Sequence, residues 1–545
     1  MYKSKLQLLS LVFFLIIACT PDENSSDDFN EQDANDPKIS VQGLTSEIEV
    51  TTQITVNITD SQGTVDNTIM MNGEEILKNT DKNFKFDINP FDYPTGENTF
   101  TVYSVDEDGN ETKIENTLVI KKLLASIASP VLIQNGRVFI SVNKMTGELV
   151  TNVEVFKDFE NVKLYSDDNF TEQPIIITSY VMLGAENLVF SEIKSIANIE
   201  PGTDLIKFQE NARAFTENTF VPNPAYESFS FKVQEIESER IARSLYGSNS
   251  IGLSTFVDVS TKNVIEEPNG FISDLQGRAS GNNNLDDLFL HTTNSTLDFS
   301  FERIKMNDYK YLFVSNPNNQ SISYSQFLPP DRIGNIYLPN NVEGYFLSVN
   351  GYKDEAAFNN KNFTSMYTAS LENNNNGVVE IPMINGFNLI ISDMYFSING
   401  YSHMSVSVVG EKSIEIPNWS AEKNEGSIFL NGDFDLFKLF TSKTLPGGDR
   451  TVRWVYFHKK HDEVNLNIES FEFPEIIESL AELNQFDLEV IKTPDIENIT
   501  LIGSTGNLKY EELLFDSQNG IPRPYNTDPV DIYTLSTTLL SANGN

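Results

Sequence analysis

The chain has 545 residues, which is too long for one hydrophobic core and predicts about three or four domains. Its 38 Lys and Arg against 78 Asp and Glu give a formal net charge of −40, which repels phosphate and argues against nucleic acid and anionic lipid surfaces as partners. Cys19 is the only cysteine, so packed cores built from the hydrophobic 39% of residues, and not disulfides, must stabilise the fold.

Residues 1–18 have the pattern of a secretion signal. Lys3 and Lys5 precede an apolar run that ends at Ala18 and is too short to cross a hydrocarbon core, which needs roughly 20 apolar residues. A thiol at the end of such a run has no folded pocket around it and no second cysteine to pair with. This position argues against a buried, a catalytic or a disulfide-bonded Cys19.

The stretch Leu15-Ile16-Ile17-Ala18-Cys19 resembles the lipobox of bacterial lipoproteins. The resemblance implies that residues 1–18 are cleaved off and that Cys19 is lipid-modified on its sulfur and on its new amino terminus. Several acyl chains on one residue anchor a protein stably, so we expect a chain that is tethered to the membrane and does not span it.

Residues 19–37 carry the anchor and an acidic tether. They hold seven carboxylates and no basic residue, and Phe29 is their only large apolar side chain, so they cannot bury enough surface to offset the entropy of ordering. An acidic stretch after the lipidated cysteine also resembles the export signal of lipoproteins on the outer face of the outer membrane. The protein is therefore expected to be lipid-anchored in the cell outer membrane and exposed at the surface. The alternative interpretation of the acidic stretch is a solvated linker that no receptor recognises.

Residues 38–122 alternate apolar and polar side chains as β-strands do, with Ile54, Val56 and Ile58 on one parity. Turn signals such as Asn72-Gly73 separate the runs. Short strands at this spacing predict a β-sandwich. The stretch from Tyr93 to Thr112 resembles the last hairpin of bacterial immunoglobulin-like domains, which implies an Ig-like module and says nothing of an activity.

The rest of the chain predicts tandem β-rich domains, so the expected fold class is all-β. We expect a second β domain at 123–245, closed by a helical candidate from Glu235 to Tyr246. Residues 246–545 form a C-terminal β-rich region of one or two domains, with a helix from Glu475 to Asn484. Three apolar strands stopped by proline recur at unequal spacings in this region, which is compatible with blades, stacked sandwiches or chance: Ile336-Tyr337-Leu338-Pro339, Val379-Glu380-Ile381-Pro382 and Ile414-Glu415-Ile416-Pro417.

Sequence motifs for catalysis, cofactors and metals give no positive signal. Nucleophile, phosphate-loop, dinucleotide and zinc-protease motifs do not occur, and Gly503-Ser504-Thr505-Gly506 lacks the lysine of a phosphate loop. The segment from His458 to Glu463 predicts a polar hairpin, because lysines between its histidines repel a cation. Asp106-Glu107-Asp108-Gly109-Asn110 predicts a turn, with a weak calcium site as the alternative. We expect a non-catalytic protein without cofactor or metal.

A basic and aromatic row is the best candidate for ligand binding. On a strand, Trp454, Tyr456 and His458 share one face, beside Arg453, and Trp419 could contribute to the rim. Flat rings with nearby donors suit a sugar, although the same row also fits one face of a core. The expected function is a surface lipoprotein that binds an extracellular glycan or protein, with the Ig-like module as spacer, a plan that resembles glycan-capturing lipoproteins. The alternatives are a structural subunit of an envelope assembly and, less favoured, a hydrolase with a carboxylate site.

Overall fold

The structure is a computed structural model, and it describes only part of the chain. The described residues are 36–60, 64–129, 136–156, 161–183, 189–206, 226–251, 255–280, 288–292, 306–340, 342, 344–360, 362–372, 377–398, 401–408, 412–424, 427–444, 451–460, 470–483, 488, 498–505, 510–511 and 532–538. The predicted signal, Cys19 and nearly all of the acidic tether lie outside these residues. In the described part of the chain, none of the helices has the length and apolarity needed to span a membrane.

The described elements are mostly strands, which confirms the all-β fold class. The strands are β1 (Lys38–Gln42), β2 (Glu47–Ile48), β3 (Thr52–Thr59), β4 (Thr64–Met71), β5 (Glu74–Asn79), β6 (Asn83–Ile88), β7 (Gly96–Asp106), β8 (Glu111–Ile120), β9 (Lys122–Ala128), β10 (Arg137–Lys144), β11 (Leu149–Val155), β12 (Asn161–Ser166), β13 (Ile175–Leu183), β14 (Val189–Ile199), β15 (Thr203–Asp204), β16 (Tyr226–Ile236), β17 (Leu245–Ile251), β18 (Thr255–Glu267), β19 (Gly270–Ser280), β20 (Leu288–Thr292), β21 (Tyr311–Val314), β22 (Ser321–Ser323), β23 (Arg332–Tyr337), β24 (Gly344–Tyr352), β25 (Phe363–Glu372), β26 (Val378–Met383), β27 (Leu389–Ile398), β28 (Tyr401–Val408), β29 (Lys412–Ser413), β30 (Ser420–Asn424), β31 (Ser427–Asn431), β32 (Leu436–Thr444), β33 (Thr451–Lys459), β34 (Asn498–Ser504) and β35 (Ile532–Thr538). The α-helices are Glu239–Arg243, Glu355–Asn359 and Glu475–Leu483, and the 3₁₀ turns are Pro90–Asp92, Met306–Asp308 and Tyr324–Gln326.

The described residues divide into two compact units, of which the first comprises 36–46, 52–88 and 97–119. Its strands form a sheet β1-β3-β6 and a sheet β5-β4-β7-β8. Alternating residues of both sheets are buried, and Phe86 and Phe100 stack with ring centroids 6.1 Å apart. This is the β-sandwich that the alternation of residues 38–122 predicted. Asn72 and Gly73, both at positive φ, turn β4 into β5, as an Asn-Gly pair does in a hairpin.

The second unit comprises 47–51, 89–96 and the described residues from 120 onward. One of its ladders runs β11-β10-β13-β14-β33-β32-β34-β35 and is antiparallel except for the parallel pair β14–β33. One face of this ladder packs on β9 and β12, with Phe457 and Leu436 pointing into that core. The other face packs on the helix Glu475–Leu483 through Ile477 and Leu480. Each face of the ladder therefore contributes to a hydrophobic core.

The helix that the sequence predicted from Glu475 to Asn484 is confirmed over Glu475–Leu483. The helical candidate from Glu235 to Tyr246 is wrong in its extent, because only Glu239–Arg243 is helical. Its flanks belong to β16 and β17, whose ladder and core contacts override the local preference. The boundaries proposed at residues 122 and 245 stay predictions.

The second unit also brings the three proline-stopped segments together. The first lies at the end of β23, the second lies within β26, and the third, residues 414–417, directly follows β29. The three strands form one small sheet, with β23–β26 antiparallel and β23–β29 parallel. The prediction of a strand stopped by proline is wrong for β26, which continues through Pro382 to Met383, and for residues 414–417, which are not in a strand. The inward side chains of this sheet, such as Ile336 and Ile381, share a core with Leu347 and Phe396 of the ladder β25-β24-β27. Two of the recurring segments are therefore neighbouring strands of one sandwich, and the third begins the loop between β29 and β30.

Candidate functional site

A cavity of about 600 Å³ opens beside the loop that follows β29. Four parts of the chain line it: the end of β29 with the loop that leads to β30, the turn before β32, the end of β34 with the residue after it, and strand β35. The lining residues are Ser413, Glu415, Ile416, Pro417, Asn418, Trp419, Asp433, Gly503, Ser504, Thr505 and Tyr533. Two rings, two carboxylates, an amide and several hydroxyls therefore face one space, which is the composition of a polar ligand site.

Two glycines and one ring position the indole of Trp419. A Cβ added at Gly503 would lie 2.8 Å from Cζ2 of Trp419, and one at Gly432 would collide with Cδ1 at the other end of the ring. Gly432 has a φ of +117°, a conformation that L side chains rarely adopt. Phe434 contacts the indole edge-on, with ring centroids 6.2 Å apart. The indole is partly exposed and fixed at its contacts, so it is a pre-organised ring in the wall of the cavity.

Acidic side chains surround the same cavity. Glu415 and Asp433 line it, and Asp433 also pairs with Lys460 at 3.3 Å. Asp435 accepts the backbone N–H of the lining residue Ser504 at 2.8 Å. Burial raises the pKa of Asp435 and outweighs the bond from Ser504. The cavity therefore presents hydrogen-bond acceptors in a negatively charged environment.

Tyr533 supplies the second ring and a phenolic donor. It lies on β35, is partly exposed, and packs against the core that contains Ile336 and Leu347. Burial raises the pKa of its phenol, and the nearby charge of Glu415 adds to the shift. The phenol is therefore neutral at neutral pH and keeps its O–H as a hydrogen-bond donor.

Trp419 is the one member of the predicted aromatic set that lines the cavity. Trp454 is 2% exposed, and its Nε1–H donates to the buried Ser195 Oγ at 3.0 Å. Phe471 and Phe473 contact the Trp454 ring at centroid distances of 5.6 and 6.2 Å. No face of the Trp454 indole is left for a sugar.

Tyr456 and His458 lie in the same interior. They are 6% and 7% exposed, and burial raises the pKa of the Tyr456 phenol. The imidazole of His458 stacks on Phe437 with ring centroids 5.2 Å apart, and its Nδ1 is bonded to the carbonyl of Lys459. Arg453 is exposed on the opposite face of β33. The row is thus a core face, as the alternative interpretation had it, because the helix Glu475–Leu483 and its flanking phenylalanines cover it.

The two candidate cation segments do not form a metal site in the described residues. Both carboxylate oxygens of Asp106 are occupied by bonds from Asp108 and Asn110, at 2.8 to 2.9 Å, so the segment is the predicted turn. His461, Asp462 and Glu463 lie outside the described part of the chain. Among the residues that the structure describes, no three His, Cys, Asp or Glu side chains group as metal ligands.

Sequence reasoning missed most of the cavity. Glu415, Asp433, Ser504 and Tyr533 come from segments more than a hundred residues apart at their extremes, so no local motif joins them. One local signal was present: the stretch Gly503-Ser504-Thr505 allows a close approach of backbone to a ring, which a search for phosphate motifs does not detect.

No protein-family model matches the chain, and no curated protein matches it. Among solved structures it is similar to the fibronectin(III)-like modules of CbhA from Clostridium thermocellum, at 11% identity over 29% of this chain and 92% of that chain, with a TM-score of 0.14. A 1.5-MDa bacterial ice-binding adhesin matches at 8% identity over 70% of this chain and 98% of that chain, with a TM-score of 0.14.

The protein SGBP-B of a mixed-linkage glucan utilization locus of Bacteroides ovatus, in complex with a mixed-linkage heptasaccharide, matches at 11% identity. That match covers 64% of this chain and 92% of that chain, with a TM-score of 0.13. The similar proteins thus include a bacterial surface adhesin and a glycan-bound protein. At such TM-scores the similarities carry no argument about what this chain binds.

Proposed function

We propose that this protein is a non-catalytic surface lipoprotein that binds an extracellular glycan in the cavity at Trp419. The observation that carries the proposal is the pairing of a fixed, partly exposed indole with hydrogen-bonding groups around one space of about 600 Å³. Sugars present C–H faces that stack on flat rings and hydroxyls that need donors and acceptors at set positions.

The cavity offers groups of both kinds. Trp419 and Tyr533 supply rings, while Glu415, Asp433 and Asn418 supply acceptors for sugar hydroxyls. Because two glycines hold the indole in place, the ring loses little conformational entropy when a ligand stacks on it. This pre-organisation favours binding by a shallow, exposed site.

The anchor and the cavity lie in different parts of the chain. The lipid on Cys19 and the acidic stretch of residues 19–37 would hold the β domains outside the outer membrane, and the cavity lies in the last quarter of the sequence. Mass spectrometry of the native protein tests this part: we expect an acylated cysteine as its first residue. An intact Met1 and an unmodified thiol would contradict the anchor.

The binding experiment uses the full chain purified in detergent on an array of neutral plant, algal and microbial glycans, followed by titration calorimetry on retained sugars. We expect retention by the wild type and loss of at least about tenfold in affinity for Trp419→Ala, because stacking and its buried area are removed. Phe429→Ala is the matched control, since this ring is 60% exposed on β31 but does not line the cavity.

Three outcomes overturn the proposal. Failure of the wild type to retain any glycan removes the glycan function. Equal losses for Trp419→Ala and Phe429→Ala remove the cavity as the site. Release of shorter sugars during incubation shows catalysis, and Glu415→Gln then tests whether the carboxylate in the cavity is responsible.

A further inference from the structure

We propose that Tyr337 forms a second subsite beside the cavity, so that the site takes a glycan chain of several units in preference to a single sugar. This inference rests on the proposed function, because it extends the same site across the sheet β26-β23-β29.

The register of the sheet places Tyr337 next to the cavity. Tyr337 of β23 is the Cα partner of Ser413 in the parallel pair with β29, and Ser413 lines the cavity. The backbone N–H of Ile414 donates to the carbonyl of Tyr337 at 2.9 Å, which fixes this register. Neighbouring strands lie about 4.8 Å apart, so the two residues are adjacent.

The side chains of Tyr337 and Ser413 lie on the same outward face. Directly paired residues in a sheet project to the same side, and residues along a strand alternate between sides. Ile336, which precedes Tyr337, is 1% exposed, and Ile414, which follows Ser413, is 4% exposed, so both point into the core. Tyr337 is 42% exposed, so its ring is on the solvent side with Ser413.

The same face continues across β26. Val378 is the antiparallel partner of Tyr337 and is 37% exposed, so an aromatic ring and an apolar side chain lie side by side in solvent. An exposed ring flanked by an apolar residue supplies area for the C–H face of a sugar, and Ser413 supplies a hydroxyl between this platform and the cavity.

Ser413 belongs both to the cavity lining and to the pair with Tyr337, and it is exposed, as are the lining residues Glu415 and Asn418. A glycan whose first units stack in the cavity would therefore lead its next units over Ser413 and onto the Tyr337 ring. Chain length, and not only sugar identity, then determines affinity.

Titration calorimetry of the full chain with neutral gluco-, manno- and xylo-oligosaccharides of about one to eight units tests this proposal. We expect the wild type to gain affinity with length until the chain reaches Tyr337, by about three- to tenfold for that step. Tyr337→Ala should bind the short oligosaccharides like the wild type and lose the gain for the long ones. Tyr337→Phe should keep the gain, because the ring is retained.

Phe346→Ala is the matched control, because Phe346 is 48% exposed on β24, outside this sheet and outside the cavity lining. It should keep the wild-type dependence on length. If affinity does not depend on length, or if Tyr337→Ala and Phe346→Ala behave alike, the second subsite is overturned while the cavity stands. If the wild type binds none of the oligosaccharides and the glycan array is also empty, the proposed function fails and the subsite with it.

Discussion

The indole of Trp419 lies directly against the backbone of Gly503, so close that a Cβ on this glycine would be 2.8 Å from Cζ2 of the ring. Ordinary contacts between carbon atoms are about 3.5–4.0 Å, so only glycine leaves room for the ring here. Gly503 is the last residue but one of β34, it precedes Ser504 and Thr505, and all three line the cavity. Gly503 is thus one of the residues, with Gly432 and Phe434, that position the ring on which the proposed site depends.

Replacing Gly503 by alanine should therefore reduce glycan affinity without changing any group that touches the sugar. We expect the indole to move, affinity to fall by about tenfold, and the free energy of unfolding to fall by about 1–3 kcal/mol from overpacking. Calorimetry and urea unfolding measure the two effects. The emission of Trp419 can be followed in a Trp454→Phe background, where it is the only tryptophan.

Gly386→Ala is the control for this experiment. A Cβ at Gly386 would meet the ring of Phe313 at 3.8 Å, an ordinary contact, so neither affinity nor stability should change appreciably. Unchanged affinity in Gly503→Ala would show that the position of the indole does not matter to binding.

Trp454 should behave as a core residue and not as a ligand contact. Its indole is buried against Phe471 and Phe473 and bonded to Ser195, so Trp454→Ala should lower the free energy of unfolding by about 3–5 kcal/mol. Trp454→Phe keeps most of the packing and should leave glycan affinity within about twofold of the wild type. A large loss of affinity in a stably folded Trp454→Phe would instead support the predicted ring row as the site.

The contrast between the two tryptophans shows what the sequence could predict. Strand alternation predicted the all-β class, the first sandwich and even which side chains of β33 share a face. It could not show which face of β33 is covered. The helix Glu475–Leu483, which covers the face of Trp454 and Tyr456, comes later in the chain and packs on that face only in the folded protein. A row of rings on a strand has the same pattern whether it meets a helix or a sugar.

The cavity was beyond sequence reasoning for a related reason. Trp419 was singled out because tryptophan is scarce in this chain, but its partners Glu415, Asp433 and Tyr533 are ordinary residues in isolation. The antiparallel pairing of β34 with β32 and β35 brings three of the lining segments together, and the parallel pairing of β23 with β29 fixes the position of Ser413. Such long-range pairings leave no periodic signal in the sequence.

The charge of the cavity predicts which glycans it rejects. Glu415 and Asp433 line it, Asp435 lies beside Ser504, and Lys460 is already paired with Asp433. A uronate or sulfate in this setting would meet like charges, which costs affinity. Glycans in which a neutral sugar is replaced by its uronate should therefore bind at least about tenfold more weakly at low salt.

Calorimetry with matched neutral and uronate oligosaccharides at low and high ionic strength measures this preference. Glu415→Gln should reduce the difference in affinity between neutral and uronate glycans, because it removes one of the repelling charges and keeps the shape of the side chain. If the wild type bound the uronate glycan more tightly than the neutral one, the site would not be negatively charged as proposed.

The last prediction concerns stability and Lys194, whose ammonium lies 5.8 Å from the ring centroid of Phe457. Lys438 approaches the same ring at 5.7 Å. Burial lowers the pKa of Lys194 from 10.5 to about 8; the charge of Lys438 acts in the same direction, and Glu192 opposes it. Below pH 8 the lysine is charged in both states, so the folded state carries the cost of burying that charge.

Between pH 8 and 10.5 the unfolded state binds more protons at Lys194 than the folded state does, so stability should rise with pH relative to a variant without this amine. Urea unfolding of the wild type and Lys194→Met at pH 7 and pH 10 measures the effect as a difference, which cancels the titration of other groups. We expect Lys194→Met to be more stable than the wild type at pH 7, by up to about 3 kcal/mol, and the advantage to shrink at pH 10. The control is Lys459→Met, at an exposed position of β33, whose stability should depend on pH as that of the wild type does. If the wild type and Lys194→Met showed parallel pH profiles of stability, Lys194 would have the same pKa in the folded and unfolded states, and the prediction would be wrong.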